Sequence, residues 1–511
     1  MKKSASLRCG FLFVLITAIS LWKVQFSLPL LWERGSRFFD IARAMVPPDL
    51  SYVPVVLRPL WATVQMSVAG TVLGAIAGFL GAVFANSYTN PLPYLRIPFK
   101  AVVHLIRTVP ALILALVCTF FVGIGSLAGT IALFLSTTVV MTRIGYEDME
   151  NANLKVPRCL EVAGCSRLRA FIRTVLPHVL PGYLTNVLYL FESNVRHASI
   201  LGYVGAGGIG LLLNERIAWR QYHEVGAILM LLYGIVLMTE GVSEWLRKVL
   251  EGKRTLGKNG KLAVAAIVTT LFTASLVTLE WPTEWGRGNA AASAIFAGIC
   301  HPDTAMLFSL SHNDVPYLLV ETFCIAFLGT LGGTLIAVWL SFFASFRILP
   351  FPVALVSRMG LLLIRTVPAF VYGLMWIRVT GPGPFAGALT LALCSIGLLA
   401  KRFLIAIDEI QLGPYAASRA MGVPSVRAFW RTVRPQLSGR YAAAILYRMD
   451  VNIREAAILG VVGAGGIGTP LILAMMHYEW PQVGALFWGM VLLVTIVDVL
   501  SELWRKKNRK S

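Results

Sequence analysis

Two stretches of this 511-residue chain set an acid, an amide and an arginine close together: Glu192-Ser-Asn194-Val-Arg196 and Asp450-Val-Asn452-Ile-Arg454. On a helix, an acid and an arginine four residues apart share a face and can pair. Guanidinium also presents a fork of N–H donors that matches the oxygens of a phosphate or phosphonate. Both stretches lie in apolar surroundings, where an ionisable residue costs at least about 2.5 kcal/mol on insertion scales and normally faces a cavity or a partner. Two readings are open. Each acid and arginine form a neutral structural pair or sit near headgroups, or the six residues line a pathway whose arginines and amides contact an anion. Arg107 and Arg365 join the pathway reading, since a ring of positive charge can filter anions. They also share helix faces with Lys100 and His104, and with Arg358, as a snorkelling cluster would.

A second repeated stretch is Val204-Gly-Ala-Gly-Gly-Ile-Gly210, found again as Val462 to Gly468. It contains G-x-G-x-x-G, which binds a dinucleotide only where it follows a strand and opens a helix of a βαβ unit. Here an apolar span precedes it and another follows, so the glycines are assigned a structural task. Gly205, Gly207, Gly208 and Gly210, with Gly463, Gly465, Gly466 and Gly468, let the chain leave a helix, take φ > 0 and pack backbone closely. The expectation is a paired hinge near an outer gate. Gly252-Lys-Arg-Thr-Leu-Gly257-Lys258-Asn259 is a phosphate-binding loop up to its last letter, but Asn replaces the magnesium-holding Ser or Thr and no strand precedes it. The chain is therefore read as having no ATP site, cofactor, metal or catalytic residue of its own. Its seven scattered cysteines read as packing residues.

The elements that must position these residues are membrane helices. The chain is 57% hydrophobic and 14% charged, against about 25% charged in soluble domains. Stretches of roughly 20 apolar residues can cross a bilayer as helices that satisfy their own backbone groups. Twelve are expected, at 9–26, 60–85, 101–122, 126–145, 183–204, 225–246, 261–279, 318–344, 357–379, 385–405, 441–462 and 484–504. Pro110 and Pro368 should bend the third and ninth. The net charge of +20 gathers before the first span, between the sixth and seventh, and after the last. Those clusters put both termini in the cytoplasm by the positive-inside rule and leave no basic stripe for nucleic acid.

The repeated motifs lie 258 residues apart, and residues 194–210 and 452–468 agree at 13 of 17 positions. The chain is a tandem duplication: a first repeat over 1–250, a linker over 251–260 and a second repeat over 261–511. Each repeat holds an even number of spans, so the two are parallel, and a pathway is expected where they meet. Segment 9–26 resembles a signal peptide, but its counterpart 261–279 is internal, so it is read as a retained helix.

Between the fourth and fifth spans of each repeat lies a polar connection, about 150–180 and 408–438. Residues 164–177 and 422–435 are identical at eight of 14 positions, including Gly164, Phe171, Arg173 and Pro177 with Gly422, Phe429, Arg431 and Pro435. Leu168, Phe171, Ile172 and Val175 fall on one helical face, as do Val426, Phe429, Trp430 and Val433. The segment reads as an amphipathic helix on the membrane surface or as a docking helix for a cytoplasmic partner.

Glycine, a gap of twelve residues and proline resemble the coupling ("EAA") loop of ABC importer permeases, though Arg158 and Ala416 stand where that motif has glutamate. Arg-Thr-Val-Pro-Ala and Ala198 to Gly210 are similar to permeases of phosphonate importers, the PhnE family. The resemblance implies a MetI-like all-α permease in two fused copies, in a bacterial inner membrane. It implies two ATPase subunits that carry ATP and magnesium, a periplasmic binding protein, and import of phosphonate, phosphate, phosphite or hypophosphite by alternating access. An ion-coupled secondary transporter with two parallel repeats, and less strongly a membrane dehydrogenase subunit, are the other readings.

Overall fold

The computed structural model describes residues 2–90, 92–253, 257–281 and 288–509. Residues 254–256 of the expected linker lie outside the described residues, as do Lys510 and the side chains of the other basic residues near the two ends. Every regular element among the described residues is helical. The first half contains α1 (Lys2–Lys23), α2 (Leu28–Arg34), α3 (Ser36–Arg43), α4 (Val53–Ala85), α5 (Pro93–Thr108), α6 (Ala111–Val122), α7 (Ser126–Asn151), α8 (Lys155–Val162), α9 (Arg167–Ala170), α10 (Leu176–Leu201), α11 (Ile209–Ala218) and α12 (Tyr222–Leu250). The second contains α13 (Lys258–Val277), α14 (Gly288–Cys300), α15 (Thr304–Phe308), α16 (Val315–Phe343), α17 (Phe351–Thr366), α18 (Ala369–Thr380), α19 (Pro384–Asp408), α20 (Gly413–Ala420), α21 (Ser425–Ala428), α22 (Arg434–Leu459), α23 (Gly468–Met476) and α24 (Trp480–Arg509). From α5 onward the two series correspond at the 258-residue spacing of the sequence repeat.

Among the described residues, seven helices, α4, α7, α12, α13, α16, α19 and α24, are long and apolar enough to cross a membrane, and the count reaches ten if each of three bent pairs is one span. The bends expected at Pro110 and Pro368 are full breaks. Segment 101–122 is not one rod but α5 and α6, bent by 95°, and 357–379 is α17 and α18, bent by 83°. Proline has no N–H to continue the ladder and drives the preceding residue out of the helical region. Val109 and Val367 are accordingly extended, with ψ of 124° in each. At 12 residues apiece, α6 and α18 are too short to span alone. Helices α10 and α22, of 26 residues each, cover the fifth and eleventh expected spans but carry the charged residues discussed below.

The chain divides into two compact units that are not the two sequence repeats. One comprises residues 44–294, the other residues 1–43 with 295–511. The helix that opens each repeat thus packs in the unit built mainly from the other repeat. In the first unit α13 lies along α4, where Gln65 donates to the Ser275 carbonyl at 2.9 Å and the Trp61 indole N–H to Thr278 at 3.1 Å. In the second, α1 lies along α16, with the Phe13 and Phe327 rings 5.8 Å apart and Lys23 Nζ 3.0 Å above the Tyr317 ring.

Each unit is centred on one close helix pair, α4 with α7 and α16 with α19. Apolar side chains gain little by leaving lipid for protein, so such pairs depend on backbone approach over small residues. A methyl group placed on Gly70, Gly74 or Gly78 would stand 2.6–2.7 Å from the Cβ of Leu133, Thr137 or Met141. Gly329 and Gly333 meet Leu391 and Ser395 in the same way.

Candidate functional site

The acids and arginines of the two central stretches do pair. On α10 the Arg196 guanidinium lies 3.0 Å from Glu192, and on α22 Arg454 lies 2.6 Å from Asp450. Both arginine side chains remain about one-fifth exposed, at 20% and 18%, so the pairs are oriented without being sealed.

The amides are placed differently from their expected role as anion donors. Asn194 donates to Thr71 at 2.8 Å and Thr137 at 2.9 Å, which ties α10 to both members of the central pair. Asn452 does the same with Thr330 and Ser395, at 2.7 and 2.9 Å. Both asparagines are buried. A primary amide has two N–H donors, and both are used in holding the three helices together.

Around this shared frame the two copies diverge, through residues that pattern reading missed. Arg247, counted from sequence among the basic residues after the sixth span, is instead buried on α12. Its guanidinium lies 3.9 Å from Glu192 and 4.2 Å from the Tyr189 ring. In the other unit Arg448 is buried and reaches Glu455 at 2.8 Å, while its Nε donates to Ser395 at 2.9 Å. Their seven-residue spacing, two helical turns on one face, was the available signal. The positions equivalent to Arg448 and Glu455 in the first copy are Leu190 and His197.

Arg107 and Arg365 occupy the last turns of α5 and α17, just before the proline breaks. Lys100 and Arg358 of the expected cationic faces turn to acids at the ends of α7 and α19. Lys100 Nζ donates to Glu150 at 2.9 Å, and Arg358 lies 3.7 Å from Asp408.

The glycine stretches are packed turns at the ends of α10 and α22. Gly205, Gly207 and Gly208 have φ of 83°, 76° and 82°, and Gly463, Gly465 and Gly466 have 84°, 79° and 75°. These are left-handed conformations that a Cβ disfavours. The Gly205 carbonyl accepts from Gly125 N–H and the Gly463 carbonyl from Gly383 N–H, each at 3.0 Å. Thr63 and Thr322 accept the N–H groups of Ile209 and Ile467 at 2.9 Å. Gly210 and Gly468 are not left-handed, but a side chain there would strike the Ser199 or Ala457 carbonyl. Each turn therefore joins the end of α10 or α22 to the start of α7 or α19 and to α4 or α16. A helix, not a strand, precedes each of these turns.

The connections at 150–180 and 408–438 form α8 and α9, and α20 and α21, with Gly164 at φ 88° and Gly422 at φ 80° turning the chain between them. Residues Phe171–Val175 and Phe429–Val433 are π-helical turns that run straight into α10 and α22, where Pro177 and Pro435 lie in the first turn. The expected single apolar face is thereby corrected. Phe171 and Val175 are 2% and 3% exposed, whereas Leu168 and Ile172 are 59% and 48% exposed. The i→i+5 bonds of a π turn widen the helix and shift the phase of the side chains that flank it. Val433 is likewise buried and Phe429 packs beside it, while Val426 and Trp430 stand exposed. One side of each connection is thus anchored in its unit. The other shows apolar side chains beside the exposed Arg173 or Arg431.

The family description "binding-protein-dependent transport system inner membrane component" matches residues 70–279 and again 329–509. The chain belongs to this family. The phosphate-import permease protein PhnE of Mycolicibacterium smegmatis is 27% identical to it over 491 residues, which cover 95% of this chain and 92% of that protein. The phosphite transport system permease protein PtxC of Stutzerimonas stutzeri is 32% identical over 208 residues, covering 41% of this chain and 76% of that protein. The chain is thus the multi-pass permease subunit of an ABC importer of the inner membrane, with the domain present twice. It is a transport subunit and not an enzyme. ATP hydrolysis belongs to a separate subunit, and the permease works with ATPase and substrate-binding components.

Proposed function

We propose that the permease imports a phosphorus oxyanion, phosphonate or phosphate or a close relative, by alternating access. The observation that carries this reading is the matched pair Arg196 and Arg454. They occupy equivalent places in the two repeats, are partly exposed within polar helices of the membrane domain, and are each oriented by an acid one turn away. A guanidinium so placed can meet the oxygens of such an anion in bidentate fashion. The printed names of the two relatives, a phosphate-import and a phosphite permease, favour the same substrate class. Arg107 and Arg365 belong to this reading as further positive groups along the path.

The complex in this reading holds one copy of the chain, two ATPase subunits with ATP and magnesium, and one periplasmic binding protein. Both termini of the chain are cytoplasmic. The exposed sides of the two connections, at Leu168, Ile172 and Arg173 and at Val426, Trp430 and Arg431, seat in the ATPase pair. The two glycine turns serve as pivots of the outer gate. Growth of a deletion strain on phosphate, phosphite, hypophosphite or methylphosphonate as sole phosphorus source, with the gene restored, identifies the substrate. Arg196→Met combined with Arg454→Met should abolish that growth while the complex still assembles. Undiminished growth on every source would overturn the pathway assignment.

A further inference from the structure

We propose that Tyr88, Glu161 and Arg167 form a clamp through which the first coupling connection moves α5, and that the second connection acts without such a clamp. The inference rests on ATPase docking at the connections, and not on the identity of the substrate.

The clamp joins two segments far apart in sequence. The Tyr88 hydroxyl, in the loop after α4, donates to the Glu161 carboxylate on α8. Arg167, at the start of α9, lies 3.8 Å from the same carboxylate, and its guanidinium sits 5.7 Å from the centre of the Tyr88 ring. The far side of the clamp is anchored, because the Tyr88 ring also stacks on the buried Phe171 at 6.4 Å. Burial, and then the Glu161 carboxylate, push the Tyr88 phenol up to about 12, so it remains a donor throughout the physiological range.

From Tyr88 the connection continues to α5. The neighbouring Ser87 N–H donates to Glu150 at 3.2 Å, and the same oxygen accepts from Lys100 of α5 at 2.9 Å. A displacement of α8 therefore reaches α5, whose last turn carries Arg107 ahead of the Pro110 break, through Glu161, Tyr88, the backbone N–H of its neighbour Ser87, Glu150 and Lys100.

Among the described residues, the second copy keeps only the last of these links, Arg358 with Asp408 at 3.7 Å. Phe346, which cannot donate, replaces Tyr88. Arg419 replaces Glu161, and Ser425 replaces Arg167. Arg419 donates to the Val423 carbonyl of its own turn at 3.0 Å. The segment before α20 is fastened instead to α22, by Gln411 with Gln436 at 3.1 and 3.2 Å and by Glu409 with Arg440 at 2.7 Å. Arg347 ties the loop after α16 to the Ile410 carbonyl at 3.2 Å, ahead of α20 and not on it. The second connection is thus fastened to the base of α22, while the loop after α16 meets α17 through Phe346, whose ring lies 3.8 Å from the Arg358 guanidinium and 5.3 Å from the Phe351 ring.

The test is hydrogen exchange in the assembled permease–ATPase complex in lipid nanodiscs, with and without ATP and vanadate. Residues 93–108 are compared with 351–366. Tyr88→Phe, which keeps the stacked ring, and Glu161→Gln should each cut the nucleotide-dependent change over 93–108 by about fivefold. Neither should alter the change over 351–366, and the double variant should be no worse than either single one. An unaltered response over 93–108 would overturn the proposal. So would equal losses in both segments, or release of the ATPase subunits.

Discussion

Helices α10 and α22 share a frame and differ in charge. Each is bound to its unit by one asparagine and ends in the same glycine turn. On α10, however, a single acid, Glu192, faces two arginines, Arg196 and Arg247, while α22 carries two separate pairs, Asp450 with Arg454 and Glu455 with Arg448. A permease assembled from two identical copies must make its charge pattern twice. A fused chain is free to keep the packing in both repeats and to let the electrostatics of each repeat drift apart. The same division separates the two connections, one clamped through Tyr88 and one fastened to the base of α22.

Three experiments would break or sharpen this contrast. The largest effect is expected where the copies agree. Valine at Gly207 or Gly465 must adopt φ near 76° or 79° and place its Cβ within 2.8 Å of Ser126 N or 2.7 Å of Pro384 N. Backbone strain and overpacking together should remove about 3 kcal/mol or more at either site. Thermal unfolding in detergent should fall alike for both variants, and import should be lost. A large drop for one alone would show that the turns are not equivalent.

Next in size comes the charged cluster, where the copies should part. Arg448→Met strands Glu455 in the unit, and breaking a buried pair from one side costs about 3 kcal/mol or more. Adding Glu455→Leu should restore most of the loss. Arg196→Met leaves Glu192 beside Arg247 and should cost about 1 kcal/mol. Equal melting temperatures for Arg448→Met and Arg196→Met would refute the difference drawn here. The smallest effect is again a shared one: Asn194→Leu and Asn452→Leu each remove two hydrogen bonds between helices, worth about 1 kcal/mol together. The two variants should melt within error of each other.

Much of this was legible in the chain itself because it is local. The acid–arginine pairs follow from a four-residue spacing, the breaks at Val109 and Val367 from the prolines that follow them, and the duplication from direct repetition. Residues whose partners lie elsewhere were not legible. Arg247 reads as one more basic residue before a linker until α12 brings it to Glu192. Tyr88 and Glu161 are 73 residues apart and belong to no repeated pattern, since the second copy replaces both. Leu168 and Ile172 read as one apolar face with Phe171 and Val175 because helical periodicity assumes i→i+4 bonds, and the π turn over Phe171–Val175 breaks that phase.

The sequence alone determined an all-helical membrane permease written twice, the broken helices, the pairing within α10 and α22, and the left-handed turns, because each depends on contacts within a few residues or on backbone limits of glycine and proline. Tertiary structure alone decided that α1 and α13 pack in the unit opposite to their own repeat, that both asparagines serve helix packing, and which charges share a partner. Those outcomes depend on which surfaces meet after the chain has folded, and neither spacing nor hydropathy encodes that.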